Sequence, residues 1–263
     1  MSTYLAIGSV CWDEVPVEGG VDRRLGGSVL FASRVALEAG WDVHVVTSGT
    51  DDLAAAARAA LPGVRVTVQP SAHDTVMRFG LESDLGPQAV PTVADPIDLA
   101  RVGVDPAGAD VVHLAPILGE VTADLVRSVD GDGLVGITPQ GLLRTLDPVT
   151  ARLGLIDHPG ASWAEGVDVV VVSESEHAQI AEPLAVGGRA VAVTRGDRGC
   201  FGERDGEVID LPGVPVVEAP AGTIGAGDVF ASALLVALAS GAPFSEAMDR
   251  SNRRAAAHVA GRP

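Results

Sequence analysis

Short apolar runs rich in β-branched residues alternate along this chain with Ala-rich stretches whose apolar positions recur at helical spacing. The runs at 5–10, 43–47, 64–68, 110–114, 134–138, 168–172 and 190–194 predict strands. Several are apolar without interruption, the pattern of strands covered on both faces. Between them 28–39, 51–60, 121–128 and 174–180 predict helices, with Gly40 as a stop and Ser173 as an N-cap. Such alternation implies right-handed crossovers. The expected fold is α/β, a doubly wound, mostly parallel central sheet with helices on both faces, spanning 1–263 as a single domain.

Three stretches break the rhythm. Segments 13–25 and 75–93, punctuated by Gly19, Gly20, Gly80, Gly86, Pro87 and Pro91, predict a small β lid outside the main sheet. Residues 200–211 predict a hairpin turning at Asp205-Gly206. After Pro220 the alternation gives way to two helices, about 226–239 and 244–259.

Composition narrows the chemistry. With 35 acidic against 18 basic residues the formal charge is −17, which opposes nucleic acid and anionic membranes as partners. All 18 basic residues are Arg. Without lysine there is no Walker A, protein-kinase or Schiff-base lysine, so any phosphate must be held by backbone N–H groups, helix dipoles, Arg and metal. Cys11 and Cys200 are too few for a disulfide framework. The longest apolar stretch, 229–244, is interrupted by Ser232, Ser240, Gly241 and Pro243, and the N-terminus has no basic region before Asp13 and Glu14. These features predict a cytoplasmic protein with no membrane span.

The densest chemical signal is Gly222-Thr223-Ile224-Gly225-Ala226-Gly227-Asp228-Val229-Phe230, a glycine turn running directly into an apolar helix. Its amides at the positive end of the helix form an anion site. A carboxylate beside a bound phosphate is repulsive unless it has work to do, and accepting a proton from an attacking hydroxyl is such work. A dinucleotide fingerprint does not fit, because Phe230 stands where a third glycine belongs. The bland alternative is a loop followed by an acidic first helical turn that complements the dipole.

This segment resembles the C-terminal signature of the PfkB, ribokinase-like carbohydrate kinases, D-T-x-G-A-G-D. Leu25-Gly26-Gly27-Ser28 is similar to the family's di-glycine motif, Val172-Ser173-Glu174-Ser175-Glu176 to its N-x-x-E segment, and Thr194-Arg195-Gly196-Asp197-Arg198-Gly199 to its T-x-G-x-x-G turn. His113-Leu114-Ala115-Pro116 and 138–144 resemble a short, inositol-kinase-like branch. The resemblance implies a kinase using ATP and Mg2+ on a sugar, polyol, cyclitol or nucleoside. Asp228 is then the catalytic base, with Gly225, Ala226 and Gly227 as anion hole. Asp13, Gly26, Gly27, Phe31, Gln140 and Arg144 become substrate contacts. Thr194, Arg195, Gly196, Thr223 and Asn252 fall on the nucleotide, and Glu176 on magnesium through water. The lid closes within one chain or across a homodimer.

The chain also departs from the family pattern. Gly222 replaces the signature's first Asp, Phe31 an asparagine of the di-glycine motif, and Ser173 the asparagine of N-x-x-E. Pro263 follows the last helix where relatives often continue with more nucleotide-site material. These departures favour the alternative of a non-catalytic ribokinase-like metabolite binder or interaction protein. Retention of Asp228 and the full turn favours the enzyme. Outside these motifs, His44, His73, His113, His158, His177 and His258 lack ligand spacing and are expected to pack or face solvent. Among them His113 ends a strand where ligands bind in such sheets. Trp12, Trp41 and Trp163 are expected to pack, with Trp12 a candidate pocket wall, and Arg23-Arg24 to be solvated.

Overall fold

A computed structural model describes residues 1–80, 87–157, 160–218 and 222–262. Gly86 of the expected lid, His158, Pro220 and Pro263 lie outside the described residues. In chain order, β1 (Thr3–Gly8) leads into the lid strands β2 (Cys11–Val17) and β3 (Gly20–Gly26) and then α1 (Ser28–Glu38). Next come β4 (Asp42–Gly49), α2 (Asp51–Ala60), β5 (Arg65–Pro70), two more lid strands β6 (Val76–Phe79) and β7 (Pro87–Thr92), and α3 (Leu99–Val102). The middle of the chain holds β8 (Val111–Ala115), α4 (Ala123–Ser128), β9 (Leu134–Ile137), β10 (Arg144–Leu146), β11 (Leu153–Leu155), β12 (Val169–Ser173) and α5 (Glu174–His177). It ends with β13 (Ala190–Thr194), β14 (Cys200–Arg204), β15 (Glu207–Leu211), α6 (Ala226–Ala239) and α7 (Phe244–Val259).

The main sheet has the order β15-β14-β13-β12-β9-β8-β1-β4-β5. It is parallel from β13 to β5, and the hairpin β14-β15 adds two antiparallel strands at one edge. Period-two alternation places Tyr4 and Ala6 against α1 and α6, while Leu5 and Ile7 pack on the opposite face with Leu125, Val126 and Trp163. The strand order reverses at β1, whose neighbours β4 and β8 run off to opposite sides. In open sheets the carboxyl edge beside such a reversal holds the ligand crevice. The lid sheet, β3-β2-β6-β7, covers that edge. A third cluster, Cys11, Met77, Phe79, Val90, Ile117 and Leu118, packs beneath it.

Two expected elements changed length for identifiable reasons. The helix expected at 174–180 stops at His177, because Gln179 N–H bonds Glu176 O and Ile180 N–H bonds His177 O, three residues back, tightening the final turn. The helix expected from Val121 begins at Ala123, where Thr122 caps it by accepting from Leu125 N–H at 3.1 Å. The antiparallel pair β10-β11 was not expected at all. Its connection is organised by Asp147, whose carboxylate accepts from the Val149 and Thr150 amides.

Candidate active site

The carboxyl ends of β9, β12 and β13, the lid strand β2 and the start of α6 each bring a chemical group to the same edge. Asp13 belongs to the lid strand β2, because β1 finishes at Gly8. Asp13 is 3% exposed, and Gly26, which pairs with Cys11 across the hairpin, makes room for its side chain. A Cβ on Gly26 would stand 2.0 Å from Asp13 Oδ2. Cys11 Sγ lies 3.5 Å from Asp13 Oδ1. Burial pushes Asp13 up to about 6, against the opposing pull of the Cys11 contact and the Arg24 charge.

Asp228 sits in the first turn of α6, and Gly225, at φ +80°, is that helix's N-cap. No side chain caps the helix. Gln140 Nε2 donates to Ser28 Oγ at 2.8 Å, and Ser28 and Asp228 line the same cavity. Burial pushes Asp228 up to about 6; Ser28 and Arg144 oppose the shift, while the charges of Glu176 and Asp13 add to it. Arg144 starts β10 and donates from Nη1 to Ile117 O at 3.2 Å. Burial lowers its pKa, opposed by the charges of Glu176, Asp228 and Glu120.

These groups line a cavity of about 230 Å³ that also contains Gly27, Phe31, Met77, Phe79, Thr223 and Gly225. On one side of it opens a polar cavity of about 740 Å³ with Arg144, Ser173, Ser175 and Glu176 in its wall. Beyond the start of α6 lies a largely apolar cavity of about 550 Å³, lined by Thr194, Gly196, Val214, Gly227, Asn252 and Val259 among others. Thr223 borders both this cavity and the first. The helix tip therefore stands between a polar, carboxylate-bearing space and an apolar one.

Glu176 Oε2 accepts from Ser173 N–H and Ser173 Oγ, each at 2.8 Å, a capping box for α5. Its other oxygen has no protein partner among the described residues, which also contain no group of three His, Cys, Asp or Glu side chains able to hold a metal. That donor set does not form a protein cage. It fits magnesium held mainly by water and phosphate with a single carboxylate nearby.

Not every expected contact lies here. Arg195 turns away from the apolar cavity, its guanidinium bonded to Asp210 and the Cys200 and Leu211 carbonyls, where it ties the edge hairpin together. His113 is fully buried, its Nδ1 2.7 Å from the Tyr4 hydroxyl, and borders none of these cavities. Trp12 is no pocket wall: Arg23 lies 4.5 Å over its ring and its Nε1 donates to Asp74. Asn252 borders the apolar cavity while donating to Pro212 O. Sequence reasoning missed Ser28, Met77 and Phe79. It also missed Glu120, a fully buried carboxylate that accepts the Ile117 and Leu118 amides at 2.6 and 2.8 Å and so shapes the loop on which Arg144 rests.

Residues 160–262 match the model of the pfkB family carbohydrate kinases. None of the curated proteins matches the chain. Solved structures share the fold. A pyrophosphate-dependent kinase in the ribokinase family, complexed with a pyrophosphate analogue and myo-inositol, is 18% identical with a TM-score of 0.81, covering 99% of this chain and 96% of its own. Arabidopsis thaliana ribokinase, complexed with ribose and ATP, is 18% identical with a TM-score of 0.73, covering 98% and 93%. Ribokinase from Thermotoga maritima is 17% identical with a TM-score of 0.67, covering 99% and 93%.

Proposed function

We propose that this chain, a ribokinase-like small-molecule kinase of the pfkB type, transfers the terminal phosphoryl group of ATP to a hydroxyl of a sugar or cyclitol held beneath the lid. The observation that carries the reading is the position of the α6 tip: Asp228 and Gly225 border the small polar cavity, Ala226 and Gly227 the apolar one. An acceptor in the first and a nucleoside in the second bring hydroxyl and triphosphate together at that tip. The acceptor space, about 230 Å³, is below the roughly 300–1,000 Å³ of drug-sized pockets, which favours a single ring over a whole nucleoside.

In this reading Asp13 and Gln140 orient acceptor hydroxyls. Asp228, ionised, takes the proton of the attacking hydroxyl; the freed oxygen bonds to the terminal phosphorus, and the bond from phosphorus to the bridging oxygen breaks with its electron pair leaving on ADP. The Ala226 N–H is bonded to Thr223 O, so the Gly225 and Gly227 amides of the turn hold the equatorial oxygens, each such donor being worth about 3 kcal/mol. Arg144 bears a positive charge between the acceptor cavity and the Glu176 carboxylate. Magnesium, near Glu176, neutralises phosphate charge when bound.

A second donor has its own support. The polar cavity beside Ser173, Ser175 and Arg144 suits an inorganic pyrophosphate, and a structural relative is pyrophosphate-dependent. Incubating the protein with magnesium, either ATP or pyrophosphate, and a panel of cyclitols, sugars and nucleosides, with products read by phosphorus NMR, separates the cases. The expected result is an ATP-dependent phosphomonoester of a cyclitol or sugar. Transfer from pyrophosphate alone overturns the donor assignment. No transfer to any acceptor, with a ligand still raising Tm, leaves a binder instead of an enzyme.

A further inference from the structure

The tip of α6 is held from beneath by two residues that lie more than two hundred positions apart. Gly225 is left-handed and uncapped, and the turn's own bonds are few: Ala226 N–H to Thr223 O at 3.2 Å and Val229 N–H to Gly225 O at 2.9 Å. Phe31 of α1 lies against the glycine so closely that a Cβ there would meet its ring carbons at 2.5–2.6 Å. His258, in the last turn of α7, donates from Nε2 to Ile224 O at 2.9 Å. The two rings meet edge to face with centroids 5.6 Å apart and planes at 78°. One ring is thus the floor of the turn, and the other fixes both that floor and a carbonyl of the turn.

Peptide geometry turns this contact into a catalytic matter. The Ile224–Gly225 peptide is planar and trans, so its carbonyl and its N–H point in opposite directions. Fixing Ile224 O on His258 fixes the direction of the Gly225 N–H, which has no hydrogen-bond partner among the described residues. Gly225 also borders the cavity shared with Asp228. Donors that stabilise developing charge act only if they are already aimed before reaction.

We propose that Phe31 and His258 form a brace that aims the Gly225 and Gly227 amides, which makes His258 a positioning residue for phosphoryl transfer. The proposal rests on the reading of that turn as the phosphate cradle. It also accounts for Phe31, whose ring supports the glycine where an amide side chain would offer polar atoms and no comparable floor.

The test compares His258→Ala with His258→Gln, whose side-chain amide can still donate to Ile224 O. His258→Ala is expected to lower kcat roughly 10- to 100-fold with acceptor KM unchanged, and His258→Gln to restore most of the loss. Independently of turnover, the Gly225 and Gly227 amide resonances are expected to move in His258→Ala and return in His258→Gln. A kcat for His258→Ala within about twofold of the parent overturns the brace's catalytic role. So do equal losses in both variants that follow their losses in Tm. Unmoved resonances in His258→Ala overturn the brace itself. Should the parent protein transfer no phosphoryl group, the reading of the turn fails, and the brace then stands or falls on the resonances alone.

Discussion

At neutral pH, Asp13 and Asp228 are ionised in surroundings that favour their protonated forms, for both are pushed up to about 6 by burial. The Asp13 charge adds to the reluctance of Asp228 to ionise. Asp228 can accept a proton only as the carboxylate. Activity is therefore predicted to fall as pH drops through about 6, well above the 3.8 of an ordinary Asp, and a pH profile of kcat/KM measures it. A profile flat down to pH 5 would contradict the assignment. The same shift has a cost for folding. The folded chain binds this proton more tightly than the unfolded one, so protonation between about pH 6 and 3.8 favours the fold, whereas the ionised group at pH 7 opposes it. Asp228→Asn is predicted to raise Tm at pH 7.

The elements that carry these residues were unevenly legible. α6 and α7 occupy the expected ranges, because an apolar run bounded by glycine at one end and by Ser240-Gly241 at the other leaves little freedom. The central strands were equally clear, since burial on both faces leaves runs made almost wholly of Val, Ala and Leu. The three-residue strands β10 and β11 were not: no apolar alternation can build up over so few positions, and their pairing depends on the Asp147 turn. Consequently nothing in the sequence placed Arg144 on a strand, although the sequence reading made it a candidate substrate contact. The lid strands were expected, but Met77 and Phe79 as cavity walls required knowing how β6 pairs with β2. The hairpin junction makes its own prediction. Gly26→Ala would drive a methyl group into Asp13 and displace it, raising acceptor KM roughly 10- to 100-fold with donor KM little changed, as initial-rate kinetics can measure. Equal effects on both substrates would show that Gly26 serves only the fold.

For the molecule as a whole, the sheet's order reversal and its lid bring every chemical group to one carboxyl edge, a convergence no local pattern announces. His258 illustrates the limit: a lone histidine in a helix gave no sign of its role, which exists only because α7 passes under the start of α6. Among the described residues no helix is long and apolar enough to cross a membrane. A formal charge of −17 opposes the approach of an anionic donor, so in the proposed reaction the energetic burden would fall on the α6 amides, Arg144 and any bound magnesium. The central claim is that Asp228 primes an alcohol for attack on a phosphoryl group held at that helix tip. The most direct measurement is the single-turnover rate of transfer from saturating donor to the best acceptor, parent against Asp228→Asn. The account predicts a loss of about 100-fold or more with donor affinity retained. An unchanged rate in Asp228→Asn would contradict it.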